Sequence, residues 1–255
     1  MMIAVTRAVS PTLAECELTH RPRDPINVAA ARAEHACYEE ALRTLGATIV
    51  SAPPEPALPD AVFVEDTALV LDEVAVLTRP GAPTRRPEVE SIANVLRAYR
   101  PLLRIEQPGT LDGGDVLRVG RKVFVGLSSR TNRAGVSQLE VLLEKWDYEI
   151  VPVEVSGCLH LKSAVTQVAG GMLLINARRV RPECFAPMEM IAVAPSEPDG
   201  ANALWLTEAV IYPAHYPETT ERLQREGLRV VSVPSAEIAK AEGGVTCCSL
   251  VFEAA

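Results

Sequence analysis

At 255 residues the chain is long enough for one large domain or two small ones, and a 48% hydrophobic, only 4% aromatic composition predicts a full but aliphatic core. Thirty-three acidic residues against 25 basic ones give a formal charge of −8, which argues against a nucleic-acid partner, because phosphate binding needs a basic face. The six cysteines are scattered, with neither Cys-x-x-Cys nor His-x-x-x-His spacing, and no secretory pattern or membrane-length apolar run is present; the expectation is a cytoplasmic protein with reduced thiols, no structural zinc and no membrane partner.

Residues 2–7 read as a first short strand and residues 8–25, with three prolines, as a loop. From Ile26 to Leu45, Ala29, Ala30, Ala33, Cys37, Ala41 and Leu45 recur at helical spacing with charges between them, and Gly46 supplies a stop. Thr48–Val50 is a strand and Pro53–Pro59 a turn region. A hairpin follows, Val62–Val70 returning as Val74–Leu77, then a helix from about Pro87 to Tyr99 and a strand over Leu102–Ile105. A second hairpin pairs Leu111–Val119 with Lys122–Leu127, and a helix runs from Asn132 to Trp146. A third pairs Leu159–Val168 with Met172–Ile175. A fourth pairs Ala201–Leu206 with Ala209–Tyr212, before a helix over Glu218–Glu226 that Gly227 ends. The last unit is Thr246–Phe252.

This is a repeat: aligned hairpin starts put Asp66, Asp115, Ser163, Asn202 and Cys247 in register, at spacings of 49, 48, 39 and 45 residues. Each unit reads hairpin, helix, strand. The last hairpin lacks a return strand, which Ile3–Val5 could supply, closing a ring. The predicted fold is therefore an α/β propeller of five pseudo-repeats forming a single catalytic domain, 1–255, with the strand starts around one central cavity. A doubly wound open sheet competes, although it would space single strands, not hairpins, with helices.

The ring would bring a Cys, a His and several carboxylates together, the set needed for thiol nucleophilic catalysis. Each residue also has a plainer reading. Cys247 and Cys248 could be small core residues, His160 a satisfied core histidine, and Asp112 and Asp115 turn carboxylates around Gly113-Gly114. Glu65-Asp66 is harder to dismiss, because two carboxylates inside the apolar run Val62–Val70 are costly to bury without a cationic partner. Phosphate-binding and dinucleotide-binding glycine patterns are missing.

Six stretches together carry a family resemblance: Leu58–Asp66, Thr78–Arg86, Thr110–Val116, Ser129–Asn132, Leu159–Ser163 and Gly243–Ser249. With these, the chain resembles the dimethylarginine dimethylaminohydrolases of the guanidino-group-modifying (pentein) superfamily, whose fold is the five-bladed α/β propeller. The resemblance implies Cys247 as nucleophile, His160 as general acid/base and Asp112 as the residue that orients it. It implies that Glu65 and Asp66 grip the guanidinium with Asp60 nearby, that Arg79 and Arg130 pair with the substrate α-carboxylate, and that backbone near Leu18 and Ala241 holds the amino-acid end. It implies a small-molecule substrate, no cofactor and no catalytic metal, and it allows a homodimer. Arginine deiminases typically carry His-x-Asp where this chain has His160-Leu161-Lys162; one carboxylate fewer suits an N-substituted guanidinium. The implied reaction is hydrolysis of methylated arginines to citrulline and an amine. The rivals are a deiminase releasing ammonia and a non-catalytic binder of arginine-like amino acids.

Overall fold

The computed structural model describes residues 1–254. β1 (Met2–Thr6) is followed by α1 (Val28–Thr44) and β2 (Thr48–Ser51), which pairs parallel to β1. The helix begins where the Asn27 side chain accepts the Ala30 N–H (3.1 Å), and it stops before Gly46, whose φ of +91° disfavours any residue with a β-carbon. β3 (Ala68–Val70) and β4 (Ala75–Leu77) form a hairpin, and α2 (Glu88–Leu96) crosses to β5 (Leu102–Arg104), parallel to β4. The same order recurs with β6 (Val116–Val119), β7 (Lys122–Leu127), α3 (Arg133–Leu143) and β8 (Glu149–Glu154).

The third repeat has β9 (Val165–Ala169), β10 (Met172–Ile175) and β11 (Glu189–Ala192). Its crossover departs from the hairpin–helix–strand expectation: it contains only a 3-10 turn, Pro182–Phe185, between prolines 182 and 187. Prolines so close together leave no room for an α-helix interior. The fourth repeat restores the pattern with β12 (Leu204–Leu206), β13 (Ala209–Pro213), α4 (Pro217–Arg225) and β14 (Arg229–Val233). After the short α5 (Ala236–Lys240), β15 (Leu250–Glu253) pairs antiparallel with β1, Ile3 opposite Phe252 and Val5 opposite Leu250. The return strand of the last hairpin is therefore the first strand of the chain, as its sequence position suggested.

The five three-stranded sheets are joined by five apolar clusters, each wedged between two neighbours. Ile3, Val5, Leu250 and Phe252 meet Ala68, Ala75 and Leu77 beneath α2. Val74 and Val76 meet Val116, Val123 and Val125. Leu117 and Phe124 meet Val165 and Leu173, and Val168 and Leu174 meet Val210 and Tyr212. Leu206, Ala209 and Ile211 then pack with Ala4 and α1, which closes the ring. Successive residues of one strand serve different clusters, Val123 and Val125 on one side and Phe124 on the other. Side chains alternate across a strand, so a strand covered on both faces reads as an unbroken apolar run.

The entries to the first three hairpins are not strands. Val64–Thr67, Gly113–Asp115 and Leu161–Ser163 wind into 3-10 turns before β3, β6 and β9 begin. The turns let the register side chains reach forward. Asp66 accepts the Gly114 N–H (2.9 Å), Asp115 accepts the Leu161 N–H (2.9 Å), and Asn202 accepts the Thr246 N–H (3.1 Å). Each of these residues thus satisfies a backbone donor in the next repeat, which gives the sequence register a physical job.

Candidate active site

Cys247 lies in the turn before β15. It is half-buried, and its sulfur accepts the Gly244 N–H at 3.3 Å. Gly244 is required by proximity, since a β-carbon there would stand 2.3 Å from Asn202 Oδ1. Burial, with Glu65 and Asp66 beside it, pushes the Cys247 thiol well above its ordinary range, and the Gly244 N–H only partly offsets this. At neutral pH Cys247 therefore rests as a neutral thiol.

His160 lines the same small, partly open cavity as Cys247. Its Nε2 stands 3.0 Å from Asp112 Oδ2, and its Nδ1 lies 3.8 Å from Asp66 Oδ1. Gly114 makes this arrangement possible, because a β-carbon would fall 2.6 Å from Nδ1. Asp112 is fully buried, and its other oxygen accepts the Gly81 N–H (2.8 Å), so it cannot swing away from the ring. Burial alone would lower the His160 pKa, but Asp66, the Asp112 hydrogen bond and Asp115 together raise it to about 9. Burial would likewise raise Asp66, yet His160 and Arg85 hold it at about 2. The cavity thus presents a protonated imidazole beside a carboxylate anion at neutral pH.

Glu65 has a different setting from the one expected. Its Oε1 takes Lys162 Nζ at 2.5 Å and its Oε2 takes the Thr246 hydroxyl at 2.7 Å. Both Glu65 and Lys162 line a second opening, walled by parts of β3, β6, β9, β12 and β15. The ion pair forms the partition between this rear opening and the cavity of Cys247, and Glu65 spends its charge on Lys162.

The cations also sort differently. Arg130 lines the cavity, is 8% exposed, and among the described residues its guanidinium hydrogen-bonds only Thr19 Oγ1 (3.1 Å), with Asp112 Oδ2 at 4.0 Å. Arg79 does not line the cavity; it bonds the Gly109 carbonyl (3.2 Å), and its backbone bridges Leu111. The second cavity arginine is Arg85, which sequence reasoning missed. It gives Nη1 to Asp66 (2.6 Å) and clasps Glu88 with Nε and Nη2 (3.1 and 2.8 Å). The stretch Thr78–Arg86 contains three arginines, and only the turn begun by Pro83 tells which one faces inward. Asp60 is buried at the cavity wall, and its carboxylate accepts the Glu17 N–H (3.1 Å). Ala241 lines the cavity; Leu18 packs into the apolar cluster, while its neighbour Glu17 reaches the cavity. Glu242, also missed, accepts the N–H groups of Thr19, His20 and Arg21 (2.9, 2.6 and 2.6 Å), tying residues 19–21 over the site.

Asp66, Asp112 and His160 bring one donor atom each within 4.8 Å of one another, the spacing of a metal cage. Their lone pairs are already engaged by Arg85, Gly114, Gly81 and one another. The set is a buried ion-pair network.

Residues 17–181 match the family model described as N,N dimethylarginine dimethylhydrolase, eukaryotic. The chain is 38% identical over 221 residues to the N(G),N(G)-dimethylarginine dimethylaminohydrolase of Pseudomonas aeruginosa, covering 86% of this chain and 87% of that one. It is also 38% identical over 249 residues to the enzyme of the same name from Streptomyces coelicolor, covering 97% and 95%. A solved structure of the Pseudomonas aeruginosa protein, a cysteine-to-serine variant complexed with citrulline, superimposes with a TM-score of 0.92 at 36% identity over 98% of both chains. The chain belongs to the dimethylarginine dimethylaminohydrolase family.

Proposed function

We propose that this protein hydrolyses N-ω-methylated arginines to citrulline and methylamine or dimethylamine. The observation that carries the reading is one cavity that holds a thiol, a protonated imidazole, two buried aspartates and an arginine with donors to spare. A zwitterionic substrate with a guanidinium at one end and a carboxylate at the other matches that charge pattern. Asp66 and Asp60 face the cation, and Arg130, in place of Arg79, takes the carboxylate.

The neutral thiol must first lose its proton. A guanidinium bound beside Cys247 offsets the negative charge of Glu65 and Asp66, so the thiol releases its proton to solvent as the substrate cation settles. The thiolate attacks the guanidinium carbon. His160 gives its proton to the departing amine, and the carbon–nitrogen bond breaks, leaving a thiouronium adduct. His160, now neutral, takes a proton from water as that water attacks the adduct. The carbon–sulfur bond then breaks, citrulline leaves, and the thiol is restored. Asp112 keeps the ring oriented throughout and stabilises its charged form.

The test is incubation with arginine, monomethylarginine and asymmetric dimethylarginine, with citrulline and amine quantified. Citrulline with equimolar methylated amine is expected, and Cys247→Ser and His160→Ala should both abolish it. Near-wild-type turnover in either variant, or ammonia from plain arginine as the preferred reaction, would overturn the reading.

A further inference from the structure

We propose that Asp115, which lines no part of the cavity, is a positioning residue for the reaction, holding His160, Asp112 and Arg130 in register from behind. The inference rests on the role given to His160 above. Asp115 is fully buried and its two oxygens collect three donors. Oδ1 accepts the Leu161 N–H at 2.9 Å, the peptide directly after His160. Oδ2 accepts the Ser128 hydroxyl at 2.6 Å and the Thr131 hydroxyl at 2.7 Å.

Both hydroxyls pass the constraint on. Thr131 Oγ1 in turn accepts the Asp112 N–H (3.1 Å). Ser128 Oγ accepts the N–H groups of Arg130 (3.0 Å) and Thr131 (3.3 Å). One carboxylate therefore fixes three segments, and each carries a site residue: the acid/base, its orienting carboxylate and the cavity cation. Asp66 makes the equivalent forward bond to Gly114 but lies at the cavity itself. Asp115 has the same place in its repeat with its charge directed behind the site.

Burial raises the Asp115 carboxyl to about 6, with His160 and the Ser128 and Thr131 hydroxyls holding it from going higher, so at neutral pH it is mainly an anion. Ser128 spends both lone pairs on N–H groups, so its proton has to go to an acceptor, and Thr131, with one lone pair on Asp112, turns its proton to the same carboxylate oxygen. A carboxylate accepts all three donors. An asparagine has one acceptor oxygen and turns an N–H₂ toward whichever donors it cannot serve. Asp115 is also the third negative charge around the imidazole, with Asp66 and Asp112; Arg85 and Arg130 stand on the cationic side, Cys247 lies across the cavity, and the Cys158 thiol caps the His160 carbonyl (3.5 Å).

The experiment compares Asp115→Asn and Thr131→Val with the parent enzyme, using citrulline release across the pH range and circular dichroism to confirm folding. Asp115→Asn removes the charge, so kcat should fall about tenfold or more and the alkaline limb of the kcat profile should move to lower pH. Thr131→Val keeps the charge but cuts the link to Asp112; kcat should fall several-fold with the limb in place. Folded Asp115→Asn with parental kcat and an unmoved limb overturns the proposal. A merely architectural role would lower stability and leave the limb unmoved. If Asp115→Asn does not fold, parental kcat in Thr131→Val overturns it. Should His160→Ala retain activity, the functional reading fails first; a silent Asp115→Asn beside a dead His160→Ala sinks only the positioning role.

Discussion

Replacing Lys162 with methionine isolates the partition between the two openings of the ring. Glu65 is 6% exposed, and the Lys162 side chain 17%, so the pair is largely desolvated. Removing one partner of a buried pair costs about 3–5 kcal/mol, because the surviving charge is left uncompensated. Two features reduce that figure: Glu65 keeps the Thr246 hydroxyl at 2.7 Å, and the rear opening admits water to the lysine side. A loss of roughly 2 kcal/mol is expected. Glu65→Gln should cost about 1 kcal/mol, since the amide can still meet Thr246 and the lysine can hydrate. The double variant should be more stable than the sum of the two losses implies, by roughly 1–2 kcal/mol. Equilibrium urea unfolding of the four proteins measures this coupling. Turnover supplies a second readout: with Glu65 uncompensated beside Cys247, the thiol rises further and kcat falls, about tenfold for each unit of thiol pKa. Losses that add to within about 0.5 kcal/mol would refute the partition. So would a Glu65→Gln variant whose main defect is a raised KM, which would return Glu65 to the substrate.

The two arginines expected at the substrate carboxylate give a direct contrast: Arg130→Met should raise KM at least about tenfold with little change in kcat, because a remote carboxylate is bound alike in ground and transition states, whereas Arg79→Met should leave KM near the parental value. Equal KM effects in steady-state assays would restore Arg79 to the site. Alkylation of resting Cys247 by iodoacetamide, followed by mass spectrometry, should be slow at neutral pH and keep rising well into the alkaline range, since burial and two neighbouring carboxylates hold the thiol protonated. A reactivity plateau near neutral pH would contradict this electrostatic picture.

The ring was legible in the sequence because its units repeat and its turns are marked by glycine and proline. Even the closure by Ile3–Val5 followed from counting strands. The hairpin entries were misread as strand because Val62–Val70 is apolar and β-branched, and periodicity cannot see that Asp66 must reach a backbone donor in another repeat. Cys247, His160 and Asp112 stood out by residue type and position. Which carboxylate meets solvent, which meets lysine and which arginine turns inward are properties of contacts between residues 19 to 181 positions apart, as in Arg85–Asp66 and Thr246–Glu65. Linear spacing carries no record of those. The helix missing from the third repeat was hinted at by its prolines, but the repeat pattern overrode them.

Joining β15 to β1 also sets a timetable. Among the described residues β15 hydrogen-bonds to no strand except β1, and the Cys247 thiol sits in the turn that leads into it. A ribosome delivers β1 first and β15 some 240 residues later, so a partly made chain holds the histidine, the aspartates and the arginines but not yet Cys247, and its first strand waits with an open edge. The step that seals the ring is the same step that brings Cys247 into the cavity lined by His160.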